Sequence, residues 1–127
     1  MSPRTWIIAG AVFGALAVGC GAFGAHALKD RLLSTGRGDV YETAARYHMY
    51  HSLALVLVGM LAFQISSAWL NAAGACFTTG ILIFSGLLYA YALGGPSILG
   101  AIVPIGGTAF ILGWLALAAA ALTLVKK

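Results

Sequence analysis

The sequence predicts an all-α integral membrane protein: a four-transmembrane-helix bundle with a short amphipathic surface segment after the first helix. Composition is the first reason. The chain is 61% hydrophobic and 8% charged, whereas soluble domains carry about 25% charged residues. So few charges cannot cover a globule in water, which leaves the bilayer as the natural solvent. The mean hydropathy of +0.98 agrees. The other reason is spacing. Apolar runs recur over 6–28, 43–66, 72–93 and 104–125. Each gives roughly 22 residues, or about 33 Å of helix, against a hydrocarbon core of about 30 Å. At 127 residues the chain is expected to form one domain over 1–127.

The first run follows Arg4 and reaches Ala25-His26-Ala27, which imitates a signal peptide. It outlasts the apolar region of about 7–15 residues in such a peptide, so it is expected to remain as the first span. At 100° per residue, Val12, Phe13, Leu16, Cys20 and Phe23 share one arc, assigned to lipid. Gly10, Gly14, Ala17, Gly21 and Ala25 share the opposite arc, assigned to protein, because helices in lipid associate by close packing at small residues. Leu28, Leu32 and Leu33 then recur at helical spacing among Lys29, Asp30 and Arg31. That pattern predicts a short helix on the membrane surface, broken over 34–38.

Asp39 and Glu42 have capping-box spacing ahead of the second span. Ala44, His48, His51, Ser52, Gly59, Ala62 and Ser66 share one side of it. Ser66-Ser67 and Asn71 mark a turn. In the third span the small and polar side, likewise expected to face the interior, is Ala75, Thr78, Thr79, Ser85, Gly86 and Tyr89, and Gly94-Gly95-Pro96 ends the helix. Pro104 is placed in the first turn of the fourth span, ahead of Gly106, Gly107 and Gly113. Trp6, Trp69, Trp114 and Tyr41 read as interfacial aromatics. Gly10, Gly14, Gly21, Gly86, Gly106 and Gly107 are the expected helix-packing glycines. Arg4, Lys126 and Lys127 fall on one side, and Lys29, Arg31, Arg37 and Arg46 on the other. The positive-inside rule therefore finds no asymmetry to read.

The seven Lys and Arg residues sit at the chain ends and in one short stretch, which excludes a nucleic-acid face. Cys20 and Cys76 lie in apolar runs without CxxC spacing and read as small core residues. Asp30, Asp39 and Glu42 are the only carboxylates, no GxSxG stands on a strand–turn–helix, and no basic residue follows the Gly-Gly pairs. No enzymatic activity and no cofactor are therefore expected.

The chemistry-bearing residues are His26, Tyr47, His48, His51, Ser52 and Tyr89, expected to form a polar cluster near one membrane surface. His48 and His51 are spaced i, i+3 and should share a face. Imidazoles suit zinc, copper, nickel or iron, so His26, His48 and His51 are candidate metal or haem ligands. Without HExxH or a helical Glu-His pair, structural hydrogen bonding is the favoured reading, ahead of a proton or polar relay and of metal or haem. Glu42 and Arg46, spaced i, i+4, should form an interfacial ion pair.

Four stretches together carry a resemblance: Gly21-Ala22-Phe23-Gly24-Ala25-His26-Ala27-Leu28; Glu42-Thr43-Ala44-Ala45-Arg46-Tyr47-His48-Met49-Tyr50-His51-Ser52-Leu53; Phe84-Ser85-Gly86-Leu87-Leu88-Tyr89; and Pro104-Ile105-Gly106-Gly107 with Gly113-Trp114. The chain resembles the family of small bacterial membrane proteins called domain of unknown function 423, related to mitochondrial transmembrane protein 256. The resemblance implies a four-helix membrane bundle and marks His26, Tyr47, His51, Tyr89 and the Pro104 segment as motif positions. It implies no substrate. The expectation is a non-enzymatic structural or accessory component of the bacterial inner membrane, in contact with lipid and with a membrane-protein partner or further copies of itself. A small transporter or channel subunit, or a metal or haem binder, are the alternatives.

Overall fold

Ser2 opens the first helix. Its hydroxyl accepts from the Thr5 N–H, and Pro3 takes the first turn, where no N–H is needed. The computed structural model describes residues 1–124, so Lys126 and Lys127 lie outside the described residues. Helix α1 is Pro3–Ala25, α2 is Lys29–Thr35 and α3 is Gly38–Ala62. Ser67 caps α4, Ala68–Gly80, through the Trp69 N–H. A π-helical turn, Ile81–Ser85, joins α4 to α5, Gly86–Ala92, and α6 is Ile98–Leu122. The α4–π–α5 segment forms one rod over Ala68–Ala92. Gly36 (φ 66°) ends α2, and Gly94 (φ 111°) turns the chain after α5. Both are left-handed conformations that side chains resist.

The helices pack in the order α1, α3, α4–α5, α6. Trp6, Leu55, Val58, Leu70, Phe77, Ile81 and Phe110 fill the common core. Ile8, Val12, Leu16 and Val18 on α1, and Ile105, Ile111 and Leu115 on α6, are exposed. Exposed apolar surface on this scale suits hydrocarbon rather than water. The chain is an all-α membrane protein, and α1, Ala68–Ala92 and α6 are long and apolar enough to cross a bilayer. Helix α3 has 25 residues, but Glu42, Arg46, His48, His51 and Ser52 make it more polar.

Several expectations are corrected. Helix α3 starts at Gly38, so Asp39 and Glu42 lie inside its first turns rather than in a cap. Pro104 is inside α6, not at its start. The carbonyl that proline leaves without its usual N–H partner belongs to Gly100. Trp6 is buried against protein, with its Nε1–H donating to Asn71 Oδ1 at 3.1 Å. On α1, Phe13 turns inward and Gly21 outward. On α4, Ala75 and Thr79 face outward, while Ala73, Gly74, Phe77 and Gly80 are buried.

The segment after α1 also does more than lie on a surface. Leu32 is buried against Tyr41 and Ala92. Arg31 Nε donates to the Leu93 carbonyl at 2.9 Å, and Thr35 Oγ1 to the Ala92 carbonyl at 2.8 Å. Arg37 Nη1 reaches the Tyr91 and Gly95 carbonyls at 2.7 and 3.1 Å, with its guanidinium over the Tyr91 ring. The last carbonyls of α5 have no partner within their own helix and carry the negative end of its dipole. The Thr35 hydroxyl and Arg37 donate to the Ala92 and Tyr91 carbonyls, and Arg31 and Arg37 place positive charge at that end.

Candidate functional site

The polar residues of α3 lie near its midpoint and divide between two sides. His51 points towards α4 and α6. Its ring stacks on Phe110 at 3.5 Å and 9°, with Phe77 at 5.6 Å. Trp114 Nε1 lies 3.1 Å from His51 Nε2, and His51 Nδ1 lies 2.7 Å from the Tyr47 carbonyl. Indole N–H can only donate and a carbonyl can only accept. His51 Nε2 therefore accepts, Nδ1 carries the proton, and both ring nitrogens are satisfied.

His48 points the other way, towards α1 and α5. Its Nδ1 is 3.1 Å from the Tyr89 hydroxyl, and Phe13 meets its ring edge-on at 6.0 Å. The Tyr89 ring lies 5.0 Å from that of Tyr41, whose hydroxyl donates to the Cys20 carbonyl. The buried Ser52 hydroxyl donates back to the His48 carbonyl at 2.7 Å. His48 Nε2 and Ser85 Oγ are buried without a hydrogen-bond partner.

The structure does not bring His26 to the other histidines. It caps α1 at an exposed position. The Gly24 backbone meets the Tyr41 ring, so His26 lies beside the start of α3. His51 is ten residues beyond Tyr41, about 15 Å further along the helix. The expectation of a cluster at one membrane surface came from placing the start of α3 five residues too late. Among the described residues no three His, Cys, Asp or Glu side chains converge as a metal site would require. Tyr47 is half-exposed and packs on Phe84. Glu42 and Arg46 do pair, at exposed positions, where such pairs contribute about 0–1 kcal/mol.

The packing glycines are only partly those expected. A Cβ on Gly10 would lie 2.7 Å from the Ser52 carbonyl oxygen, and one on Gly106 would lie 2.8 Å from Phe84 Cβ. Gly14 and Gly107 make looser approaches, Gly86 meets only the Ile81 carbonyl at 3.9 Å, and Gly21 has nothing within 4 Å. Tight contacts outside that set are Gly24 on Tyr41, Gly59 on Pro3 and Ile7, Gly74 on Trp6, Gly80 on Phe110 and Gly113 on Phe77. Most of these contacts involve aromatic rings, and no motif spacing announces which glycine a ring will cover. Trp114 and Phe110 were missed as partners of His51. Trp114 does lie mid-helix, which was the available signal that it does not belong at an interface.

The family model described as "Protein of unknown function (DUF423)" matches residues 20–107, a stretch that contains every histidine and Tyr89. A UPF0382 membrane protein of Staphylococcus epidermidis is 47% identical over 119 residues, covering 94% of this chain and 96% of its own. The UPF0382 membrane protein YwdK of Bacillus subtilis is 44% identical over 119 residues, covering 93% and 96%. The UPF0382 membrane protein SH2409 of Staphylococcus haemolyticus is 46% identical over 114 residues, covering 90% and 92%. No solved structure matches the chain.

Proposed function

We propose, for a chain that belongs to the DUF423 family of membrane proteins, a non-enzymatic role as a four-span accessory component of the bacterial cell membrane. In this reading residues 1–127 form one unit, α3 is the fourth span, and α2 rests at the membrane surface. Contacts along its whole length support the spanning of α3. Gly59 lies against Pro3 and Ile7, Gly10 against Ser52, and Gly24 against Tyr41. A helix in contact with α1 from end to end crosses wherever α1 crosses. His48, His51 and Ser52 are tolerable there because they face neighbouring helices and not lipid, while Glu42 and Arg46, exposed near the start of the helix, pair with each other.

The observation that carries the role is the use made of His51. Both of its nitrogens are spent on helix contacts, with Trp114 of α6 and the Tyr47 carbonyl of α3. Polar side chains committed in this way suit a framework rather than catalysis. The partners are lipid and a membrane-protein helix on the free side of α1, where a methyl group added to Gly19 or Gly21 would meet no atom within 4 Å. The transporter reading draws on the unpaired His48 Nε2. Flux measurement separates the two. Purified protein in liposomes loaded with a pH-sensitive dye is expected to pass no more protons, under an imposed potential, than protein-free liposomes. Flux that depends on His48 would favour the transporter reading.

A further inference from the structure

His48 and His51 stand three residues apart on α3 and are equally buried, 5% and 4% exposed. They differ in one respect. His51 has no nitrogen to spare, while His48 Nε2 meets neither donor nor acceptor. The Phe13 carbonyl lies near His48 but outside bonding geometry for Nε2. An unsatisfied buried polar atom costs about 1–3 kcal/mol, so a structure that keeps one invites an explanation.

Ser85 has the same property, being fully buried with its hydroxyl unpaired. Hydroxyls elsewhere in these helices bond back to the carbonyl four residues earlier, as Ser52 does to His48 and Thr78 to Gly74. For Ser85 that carbonyl belongs to Ile81, and the π-helical turn gives it to the Gly86 N–H. The extra residue of the turn also shifts the phase of the rod. A regular helix continuing from Phe77 and Ile81 would bury position 84, but here position 85 is buried. Turns of this kind recur at functional sites. The turn packs against α3, and Tyr89, which holds His48, lies one helical turn beyond Ser85. Buried polar atoms with spare capacity on facing helices are what an internal water requires.

The approach to this place from one face extends as far as Tyr41. A groove of about 600 Å³ between α1, α2 and α3 is lined by Lys29, Asp39, Glu42 and Tyr41, among others. The Tyr41 ring leads to Tyr89, and the Tyr89 hydroxyl leads to His48. Beyond Ser52, the buried residues of α3 are Ala54, Leu55, Val58 and Gly59, packed on Leu70 and Phe77. That end is apolar.

We propose that His48 is a proton-accepting site near the middle of the membrane-spanning region, hydrated at His48 Nε2 and Ser85 Oγ and open to one membrane face through this groove. The proton comes from water in the groove. The imidazole gains one proton and one positive charge, and the hydroxide left behind is taken up by bulk buffer. With both nitrogens protonated, Nδ1–H donates to the Tyr89 oxygen and Nε2–H to water. Phe13 of α1 and Tyr89 of the α4–α5 rod face the His48 ring, Ser52 bonds to its backbone carbonyl, and Cys20 and Tyr41 lie beyond, around Tyr89. None of them carries a fixed charge. A site open to one face loads a proton without conducting it, so it stands apart from the flux result above.

Imidazole ¹⁵N spectra of histidine-labelled protein in lipid test this. At about pH 5, below the ordinary histidine range, the His48 signal is expected to become that of an imidazolium while His51 keeps its neutral Nδ1–H form. The His48 ring should also exchange with D2O at least about tenfold faster than His51, as solvent-reached groups do. Ser85→Ala should slow that exchange. His48→Gln assigns the signal. Tyr89→Phe, which deletes only the hydroxyl, assigns it independently should His48→Gln not fold. A His48 ring that stays neutral at about pH 5 and exchanges as slowly as His51 overturns the proposal.

Discussion

Gly10→Ala is expected to lower stability by about 1–3 kcal/mol, the usual cost of forcing atoms into a packed contact. The added methyl would sit 2.7 Å from the Ser52 carbonyl oxygen and from Val56 Cγ2, and 2.8 Å from the Val56 backbone nitrogen. A flexible side chain could swing away, but α3 backbone cannot, so α1 must separate from it. Gly19→Ala on the same helix is the control. Nothing lies within 4 Å of its methyl position, and replacing a mid-helix glycine by alanine is neutral or favourable by up to about 1 kcal/mol. Equilibrium unfolding by SDS in mixed micelles reads both. Equal stability of the two variants would mean that α1 and α3 do not meet at Gly10.

His51→Ala is expected to be the most damaging single truncation in the interior. It removes the ring stacked on Phe110 and strands the Trp114 N–H. Truncating a buried ring to alanine costs about 3–5 kcal/mol in soluble cores. Trp114→Phe keeps the ring packing and removes only the donor, so it should cost about 0.6–1.7 kcal/mol, the range for hydrogen bonds between membrane helices. In a double-mutant cycle the two changes should couple, because the second has no bond to break once the first is made. Additive losses would show that the indole and imidazole do not bond. Loss of stoichiometric zinc, copper or iron from His51→Ala would instead make His51 a ligand.

An all-α membrane protein was legible because hydropathy and run length are coarse properties that neighbouring helices do not alter. Gly94-Gly95-Pro96 marked the end of its helix for an equally local reason. The errors lie where a boundary or a face depends on tertiary contact. Gly38 and Asp39 read as a loop and a cap, yet the helix begins there, with Arg37 held by the Tyr91 and Gly95 carbonyls. Pro104 read as a start signal, but α6 begins six residues earlier, at Ile98. The inward face of Ala68–Ala92 was misread because one extra residue at Ile81–Ser85 breaks the 3.6-residue period that the reading assumed.

The same limits shaped the site. Residue type identified His48, His51, Ser52 and Tyr89 as chemistry-bearing, and all four are buried or partly buried in helix contacts. Spacing alone put His48 and His51 on one face. At i, i+3 the two side chains diverge enough for one to reach α5 and the other α6. Only the packing order α1, α3, α4–α5, α6 decides which neighbour each one meets.

The central claim is that polar α3 crosses the membrane with the other three long helices. Single cysteines introduced as Ser2→Cys, Ser34→Cys, Ser66→Cys and Ser97→Cys, in a Cys20→Ser, Cys76→Ser background, test it directly. All four positions are exposed, and a membrane-impermeant maleimide added to intact cells or sealed vesicles reports their side. The account predicts that positions 2 and 66 share one side and that positions 34 and 97 share the other. Positions 34 and 66 labelling from the same side would mean that α3 does not cross, and would contradict the account.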